Sequence, residues 1–313
     1  MTPELESAPT GLGARTRGFD DGRTSWSVLQ RACRAARLDG KGARLLRLGE
    51  NAIYALASAP VIVRIARSAD YLSDVRKELS VARWLASAGY PGARLVNVEQ
   101  PLVLDGRVVT FWDFIESGEE RPTMADLGRL LRTLHGLGEP TGVRLPILNP
   151  FARVERRLAN APASVKPATV DFLRQRTHSL KGQYGDLDFV LPQGPIHGDA
   201  HTGNLLRDTM GIVWLLDFEA FARGPREWDL SVAAGHFEGF GWVSHEQYQS
   251  FADAYGYDVL LWPGFKVVRA VRELTMTTWL MQNVEERLEV AEEFARRIGD
   301  LHDDEAPRRW TPM

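Results

Sequence analysis

The sequence predicts a two-lobed α+β protein, in which a small lobe built on an antiparallel sheet precedes a larger, mainly helical lobe. The chain has 313 residues, enough for two lobes that each bury a core. Short stretches that favour strands are concentrated before residue 116, and helical periodicity dominates after it. A polar, proline-containing connector at residues 116–122 separates the two patterns, so we place the lobe boundary there.

Composition and charge exclude several classes of protein. The 44% hydrophobic and 25% charged residues match ordinary globular chains, and the net charge of −3 provides no general attraction to nucleic acid or to anionic membranes. The longest apolar runs have the length of strands, and the first residues lack the apolar core of a signal peptide. The single cysteine, Cys33, requires no oxidising compartment. We therefore expect a cytoplasmic protein without nucleic-acid or membrane partners.

The small lobe is assigned to residues 25–116, after a loosely ordered leader at 1–24 that lacks a hydrophobic period. Asp105-Gly106 is a favourable turn between two strands of this lobe. One stretch has apolar residues at three- and four-residue intervals and predicts an amphipathic helix. The predicted strands are Arg44–Leu48, Ala52–Ala57, Val61–Ala66, Leu95–Val98, Leu102–Leu104 and Val108–Ile115, and the helix is Leu72–Ala88.

The large lobe is assigned to residues 117–305. Thr123 is placed to cap a helix whose apolar residues include Met124 and Leu134. Further helical patterns cover Val170–Leu180, Glu246–Tyr255, Phe265–Gln282 and Glu285–Leu301. One strand-like island, Ile196–Phe218, interrupts the helices and holds a concentration of polar residues. We expect the chemistry of the protein to lie in this island.

Three residues of the island have the types that phosphoryl transfer requires. Such a reaction needs a carboxylate to orient an acceptor hydroxyl and accept its proton, and oxygen ligands for magnesium on the triphosphate. Asp199 and Asn204 lie on one loop bounded by apolar strands and provide a base and a metal ligand. Asp217 ends the next apolar strand and provides a second metal ligand.

These motifs resemble those of the aminoglycoside phosphotransferase and choline kinase-like family, which has a protein-kinase-like fold. The family's catalytic loop, His-Gly-Asp with an Asn five residues after the Asp, is matched by His197-Gly198-Asp199 and Asn204. Its metal-binding Asp-Phe-Glu is matched by Asp217-Phe218-Glu219. The resemblance implies transfer of the γ-phosphoryl group of ATP, or of GTP, to a hydroxyl of a small molecule in the presence of Mg²⁺. Asp199 would be the base, and Asn204 and Asp217 the metal ligands.

The resemblance also implies nucleotide-binding residues in the small lobe, where this sequence departs from the usual pattern. Arg64 stands on the strand where kinases hold the phosphates with a lysine, and Glu78 on the following helix is its natural partner. Asn51 belongs to the turn that would cover the phosphates. Main-chain groups of Asp113 and Ile115 would hydrogen-bond the adenine.

The acceptor is expected from the resemblance to be an aminoglycoside or a related antibiotic, with choline, homoserine or an amino sugar as metabolic alternatives. Acidic residues of the large lobe, including Glu227, Glu238 and Glu273, would suit a cationic acceptor, but solvation of a surface explains them equally well. Two other residues are interpreted as supports of the catalytic loop. His197 would brace it by hydrogen bonds, and Asp229 would steady it as a buried carboxylate. The oligomeric state stays open.

Two functions from other classes are compatible with parts of the sequence. His197, Asp199 and His201 alternate along an extended segment and could surround a zinc ion, which would indicate a metallohydrolase. That alternative leaves the Asp217-Phe218-Glu219 motif unexplained. The other alternative is a non-catalytic kinase-like binding module, which has only Arg64 in its favour, because all three residues required for the chemistry are present.

Overall fold

The computed structural model describes residues 22–49, 51–140, 142–303 and 307–312, so residues 1–21 of the predicted leader lie outside the described residues. The predicted α+β architecture is confirmed, with a five-stranded antiparallel sheet followed by a mainly helical lobe. None of the helices in the described part of the chain is both long and apolar enough to cross a membrane.

The sheet of the small lobe has the strand order β1-β2-β3-β5-β4, and every neighbouring pair is antiparallel. Asp105 and Gly106 both have positive φ angles, 50° and 70°, which are typical of the tight turn predicted between β4 and β5. One face of the sheet is covered by a helix, and the other carries Arg64 on β3. The strands are Arg44–Leu48 (β1), Asn51–Ala55 (β2), Val61–Ala66 (β3), Leu102–Leu104 (β4) and Arg107–Asp113 (β5).

Helix α1, Gly22–Ala35, covers the sheet and begins inside the stretch predicted as a leader. Its apolar stripe, which includes Val28, Leu29 and Ala32, is fully buried against the strands. The hydroxyls of Ser25 and Tyr54 lie 2.7 Å apart in the same buried layer. The sequence contains this helical stripe, but it is short and starts after a polar stretch without a strong cap, so the pattern was not assigned to a helix.

The predicted strand at Leu95–Val98 is wrong. Leu95 forms only an isolated bridge to Trp112, and the N–H of Val98 donates to the carbonyl of Val96 within the segment. Within this segment the N–H of Val96 donates to the Phe111 carbonyl at 3.2 Å, and the side chain of Gln100 makes two further hydrogen bonds to Phe111. Its Oε1 accepts from the Phe111 N–H at 2.8 Å, and its Nε2 donates to the Phe111 carbonyl at 3.2 Å. A side-chain amide thus satisfies the main chain of β5 and replaces a regular ladder.

The rest of the chain contains long helices packed around a common core. The predicted cap of α3 is confirmed, because Thr123 and Asp126 form a reciprocal capping box. Helix α3 lies so close to α7 that a Cβ on Gly128 would be 2.5 Å from the carbonyl oxygen of Phe251. The helices after α1 are Leu72–Ser87 (α2), Met124–Gly136 (α3), Ala152–Ala159 (α4), Pro167–Gly185 (α5), Glu227–Ala234 (α6), His245–Tyr255 (α7), Phe265–Met281 (α8) and Leu288–Leu301 (α9).

The buried apolar residues form two clusters whose border does not follow the lobe boundary in the sequence. The smaller cluster lies between α1 and the sheet. The larger one fills the helical lobe and also includes Leu79, Val81 and Leu85 of α2, together with Trp112 of β5. Helix α2 follows β3 in the chain, yet its core face belongs to the large lobe. This shared packing fixes the position of the small lobe's Glu78, on α2, relative to the loops of the large lobe.

Candidate active site

Two short antiparallel ribbons place both sequence motifs side by side. Strand β6 (Gln193–Ile196) pairs with β9 (Ala222–Pro225), and β7 (Leu205–Arg207) pairs with β8 (Val213–Leu215). The loop with Asp199 and Asn204 connects β6 to β7, and Asp217 follows β8. The pairing of β7 with β8 therefore brings the two loops together.

Direct hydrogen bonds tie these loops to each other. The N–H of Leu216 donates to the carbonyl of Asn204 at 2.9 Å. The Nε2 of His197 lies 2.9 Å from the Leu216 carbonyl oxygen and donates to it, while its Nδ1 accepts from the N–H of Asp199 at 3.3 Å. His197 is fully buried, so the interpretation of this residue as a brace is confirmed.

Asp229, at the start of α6, holds the loop that carries Asp199. Its two carboxylate oxygens accept from the N–H groups of His197 and Gly198, each at 2.7 Å, and Oδ2 also lies 3.1 Å from Nε2 of His135. The predicted role of Asp229 as a buried support is confirmed, since its side chain is fully buried. Burial raises the pKa of Asp229, but the hydrogen bond from His135 and the nearby imidazoles lower it by more, so the carboxyl stays ionised.

Gly198 is required because the second motif passes directly over it. Its φ angle is +88°, a region that side-chain-bearing residues rarely adopt. A Cβ at this position would lie 2.3 Å from the carbonyl oxygen of Ala220, three residues beyond Asp217. The glycine between His197 and Asp199 thus permits the close approach of the two loops.

Asn204 and Asp217 present oxygen atoms that suit a magnesium ion. Asn204 Nδ2 donates to the Asp199 carbonyl at 2.9 Å, which directs the amide and leaves its oxygen for another partner. Asp217 has a φ angle of 61°, an uncommon conformation for a residue other than glycine, and such conformations cluster at functional sites. Its Oδ1 accepts from the Glu219 N–H at 3.3 Å. An amide oxygen and a carboxylate are the hard ligands that Mg²⁺ prefers, so these residues fit the ion that the resemblance implies.

Arg64 is held by several side chains on the open face of the sheet. Its Nη1 donates to Glu78 Oε1 at 2.6 Å, as the sequence predicted. The Asn51 amide satisfies both side chains when its oxygen points to the guanidinium. In this orientation the oxygen accepts from Nε and Nη2 of Arg64, each at 3.0 Å. Glu219 lies 3.9 Å from Nη2. These residues line a cavity between the sheet and α2.

The charges of the Arg64 cluster extend to the second motif. Burial lowers the pKa of Arg64, and the carboxylates of Glu78, Asp217 and Glu219 raise it by more, so that its net shift is upward. Burial also raises the pKa of Glu78, against the opposing effect of Arg64. Asp217 is thus close enough to the small-lobe pair for its charge to act on both residues, which places Arg64, Glu78 and Asp217 in one electrostatic unit.

The segment predicted to contact adenine lies at the end of β5. The N–H of Asp113 donates to the carbonyl of Arg94 at 2.9 Å, so this group is engaged within the protein and is not available to a base. Burial raises the pKa of the Asp113 carboxyl, and Arg94 opposes this effect. Ile115 is half-buried and lies just beyond the strand. Of the main-chain groups predicted to hydrogen-bond adenine, the Asp113 carbonyl and the main chain of Ile115 therefore stay candidates.

The zinc alternative has no support in the geometry. His197 uses both ring nitrogens within the protein and is buried, so neither faces a common centre with His201. His201 Nε2 is 3.9 Å from Asp199 Oδ2. Within the part of the chain that the structure describes, no group of three or more His, Cys, Asp or Glu side chains is arranged to hold a metal ion.

Three cationic residues near the site were not identified from the sequence. Lys77 donates from Nζ to the carbonyl of Glu219, and Arg153 of α4 contacts the Glu219 carboxylate at 3.0 Å. Arg272 of α8 lies over the ring of Trp228, whose Nε1 donates to the carbonyl of Gly198. The sequence contains one signal for Arg272, because this charged residue stands among the apolar residues of a predicted helix. For Lys77 and Arg153 the sequence contains no signal, because both are ordinary charges on amphipathic helices.

The fold and these two joined motifs define a kinase-like protein. Residues 44–274 match the model described as the phosphotransferase enzyme family, APH, and the chain belongs to this family. None of the curated proteins matches the chain.

Solved structures extend the similarity of fold over most of the chain. A microcompartment-associated aminopropanol kinase has a TM-score of 0.69 and 18% identity, covering 92% of this chain and 99% of its own. Choline kinase LicA from Streptococcus pneumoniae has a TM-score of 0.65 and 14% identity, covering 88% of this chain and 99% of its own. Spectinomycin phosphotransferase APH(9)-Ia, in complex with ADP and spectinomycin, has a TM-score of 0.63 and 16% identity, covering 89% and 98%. At these identities the likeness concerns the fold.

Proposed function

We propose that this protein transfers the γ-phosphoryl group of ATP to a hydroxyl of a small molecule. The observation that carries the proposal is the junction of the two motif loops, in which the Asn204 carbonyl accepts from the Leu216 N–H immediately before Asp217. This contact joins the loop of Asp199 and Asn204, our candidate base and ligand, to the segment of Asp217, whose charge acts on Arg64.

The residues have distinct roles in the proposed reaction. Asp199 is half exposed, orients the acceptor hydroxyl and takes its proton as the oxygen attacks the γ-phosphorus. The new bond joins the acceptor oxygen to phosphorus, the bond between the γ-phosphorus and the bridging oxygen breaks, and ADP leaves with that electron pair. Arg64, directed by Glu78 and Asn51, supplies donors to the phosphates.

Asn204 and Asp217 would hold the magnesium ion, which when bound neutralises phosphate charge. Asp199 keeps the Asn204 amide in position through its main-chain carbonyl, so the base and the ligand are coupled. The ADP in the spectinomycin phosphotransferase and the family match support ATP as the donor, with GTP as the alternative that the resemblance also implies. We retain the prediction of a cytoplasmic location, where a reduced Cys33 is expected.

The proposed acceptors are the two kinds expected from the sequence, an antibiotic and a small metabolite. The name of one structural neighbour supports an antibiotic acceptor, and the names of the choline and aminopropanol kinases support a metabolic one.

Calorimetric titration with ATP, with and without MgCl₂, tests the nucleotide part of the proposal. Wild-type protein is expected to bind ATP more tightly with magnesium present. Asp217→Asn should lose most of this magnesium dependence, because an amide is a weaker ligand than a carboxylate for a hard cation. Asp253→Asn, on the exposed face of α7, is a matched control that should bind as the wild type does. Absence of magnesium-dependent ATP binding in the wild type would refute the proposed function.

A further inference from the structure

Arg272 is a fixed cation on the inner side of helix α8. Its Cζ lies 4.1 Å from the centroid of the Trp228 ring, within the range of a cation–π contact. Nε donates to Ser231 Oγ at 2.7 Å, and Nη2 donates to the carbonyl of Trp228. Two hydrogen bonds and a stacked ring restrict the guanidinium to one orientation, so little side-chain entropy remains to be lost when it binds a ligand.

The same tryptophan connects Arg272 to the catalytic loop. Trp228 Nε1 donates to the carbonyl of Gly198 at 3.0 Å, which is the peptide group that precedes Asp199. Burial lowers the pKa of Arg272 to about 10, while the charges of Asp199 and Asp229 raise it. The guanidinium is therefore protonated at neutral pH and lies near enough to Asp199 to interact with its charge.

Part of this guanidinium is available to a ligand. Among the described residues, Nη1 makes no hydrogen bond, and the Arg272 side chain is half-buried. A positioned guanidinium with free N–H groups is the group that proteins use to bind carboxylates and phosphates. Because Trp228 joins it to the peptide group before Asp199, we infer that this donor set borders the position of the acceptor.

The acidic residues that would favour a cationic acceptor are engaged elsewhere. Glu227 Oε1 accepts from the N–H groups of Val190 and Leu191, and Glu227 is fully buried. Glu273 is buried between Arg269 and Arg308. Glu238 contacts the same Arg269 at 3.4 Å. Glu238 and Glu273 are thus paired with arginines, and Glu227 is buried with one oxygen, Oε2, that has no partner among the described residues.

The imidazoles of His201 and His236 lie near Asp199 and Arg272 and provide no anion that would attract a cationic acceptor. The rings of His201 and His236 lie with their centroids 6.5 Å apart. Burial lowers the pKa of His236 to about 4, and the charges of His201 and Arg272 act in the same direction. His236 is therefore neutral at pH 7, and Arg272 is a permanent charge near enough to interact with Asp199.

We propose that the acceptor is a small hydroxy acid, whose carboxylate pairs with Arg272 while its hydroxyl lies against Asp199. This inference rests on the proposed function and specifies its substrate class. The carboxylate takes no covalent part, since the hydroxyl oxygen forms the bond to phosphorus and its proton passes to Asp199. A polycationic antibiotic would instead bring positive charge next to the guanidinium, which costs binding energy through like-charge repulsion.

Matched pairs of acceptors that differ only in the carboxylate test this proposal. Glycerate with glycerol, 4-hydroxybutyrate with 1,4-butanediol, and pantothenate with panthenol are assayed for ADP release, with choline and kanamycin as cationic acceptors. For at least one pair, kcat/KM of the acid is expected to exceed that of the alcohol by about 10-fold or more, the range of a charge-assisted hydrogen bond. A preference for the alcohols or for the cations, or no turnover with any hydroxy acid, would overturn the proposal.

Variants of Arg272 test whether this side chain is responsible for the preference. Arg272→Met keeps a long apolar stem on Trp228 and should reduce the acid-to-alcohol ratio about 10- to 100-fold, mainly through KM of the acid. Arg272→Lys keeps the charge and should retain part of the ratio. Lys266→Met, on the exposed face of the same helix, should leave it unchanged. An undiminished acid preference in a folded Arg272→Met protein would contradict the inference.

Magnesium-dependent ATP binding separates failure of this inference from failure of the proposed function. Arg272 is joined to the loop of Asp199 only through Trp228 and is not in the Arg64 cluster, so Arg272→Met should bind ATP as the wild type does. Normal ATP binding together with a preference for alcohols or cations would overturn the acceptor class and leave the kinase proposal intact. Loss of ATP binding in the wild type would overturn both.

Discussion

At the scale of single residues, Asp229 determines the geometry of the loop that carries Asp199. Two main-chain N–H groups, those of His197 and Gly198, donate to its carboxylate in a fully buried position. A buried anion of this kind is stabilising only while all its partners are present, because an unpaired polar group in the interior is costly. The loop that carries Asp199 therefore depends on the charge of a residue thirty positions away in the chain.

Asp229→Asn should lower the free energy of unfolding by about 3 to 5 kcal/mol, because the new amide N–H₂ would face main-chain donors. Chemical denaturation at pH 7 measures this loss. Asp171→Asn, an exposed residue whose contact is a surface ion pair with Arg174, is the matched control and should change stability by less than about 1 kcal/mol. Equal losses in both variants would show that the buried carboxylate has no special role.

The pH dependence of stability follows from the lowered pKa of Asp229. Burial raises this pKa, but the partners of the carboxylate lower it by more, so the pKa in the folded state is below that in the unfolded state. The contribution of Asp229 is therefore complete above the unfolded pKa of about 4 and is lost as the pH falls toward the folded pKa. Denaturation curves between pH 5 and 2.5 should show a smaller loss of stability in Asp229→Asn than in the wild type. Parallel losses would contradict this assignment.

Residue types and spacing predict two motifs that the structure brings together, but not the side chains that surround them. Asp199, Asn204 and Asp217 form two motifs whose separation is readable along the chain, and the pairing of Arg64 with Glu78 follows from a strand and the next helix. Arg272 is 73 positions from Asp199, and the ring that joins them belongs to a third element. Contacts of this kind depend on tertiary packing, which a single sequence does not encode in a local pattern.

At the scale of elements, the approach of the two motif loops depends on the absence of a side chain at Gly198. Gly198 and Gly211 both have strongly positive φ angles, +88° and +84°. Only at Gly198 would a Cβ meet a neighbour, the Ala220 carbonyl oxygen at 2.3 Å, whereas nothing lies within 4 Å of a Cβ at Gly211. A substitution at Gly211 therefore measures the cost of the backbone conformation alone. A substitution at Gly198 adds the cost of the contact between the loops.

Gly211→Ala should destabilise the protein by about 1 kcal/mol, the cost of an alanine in the left-handed region. Gly198→Ala should cost about 2 kcal/mol more, because one loop must shift, and should also reduce phosphoryl transfer since Asp217 would move away from Asn204. Thermal denaturation and ADP release measured on both variants check these values. Similar effects on activity in the two variants would contradict the proposed loop contact.

The errors at this scale have identifiable causes. Leu95–Val98 has the composition of a strand, but the amide of Gln100 satisfies the main chain of Phe111 in its place. Helix α1 was missed because its first turn follows a stretch without hydrophobic period. Strands β1, β3 and β4 were predicted with their observed bounds, since short turns on either side limit them in the sequence.

At the scale of the whole molecule, the hydrophobic clusters divide the chain differently from its lobes. Leu85 of α2 is fully buried in the cluster of the large lobe, and Leu29 of α1 is fully buried in the cluster beside the sheet. The composition change near residue 116 indicated where the sheet ends, but it could not show that α2 packs with the later helices. The helix that positions Glu78 is therefore supported by the large lobe.

Substitutions in the two clusters should have different regional effects. Leu85→Ala should cost about 2 to 5 kcal/mol and accelerate hydrogen exchange in α2 and in the helices of the large lobe. Leu29→Ala should cost a similar amount and accelerate exchange mainly in α1 and the sheet. Hydrogen exchange detected by mass spectrometry distinguishes these patterns. Accelerated exchange confined to the small lobe in Leu85→Ala would contradict the shared core.

Acceptor-dependent ADP release from wild type and Asp199→Asn tests the central claim most directly. The account predicts magnesium-dependent turnover with at least one small hydroxylated acceptor, and a fall in kcat of about 10²- to 10⁴-fold in Asp199→Asn, the contribution typical of a positioned base. Affinity for ATP should stay within about twofold, because Asp199 is assigned to the acceptor and not to the nucleotide. Undiminished turnover in Asp199→Asn, or no acceptor-dependent turnover in the wild type, would contradict the account.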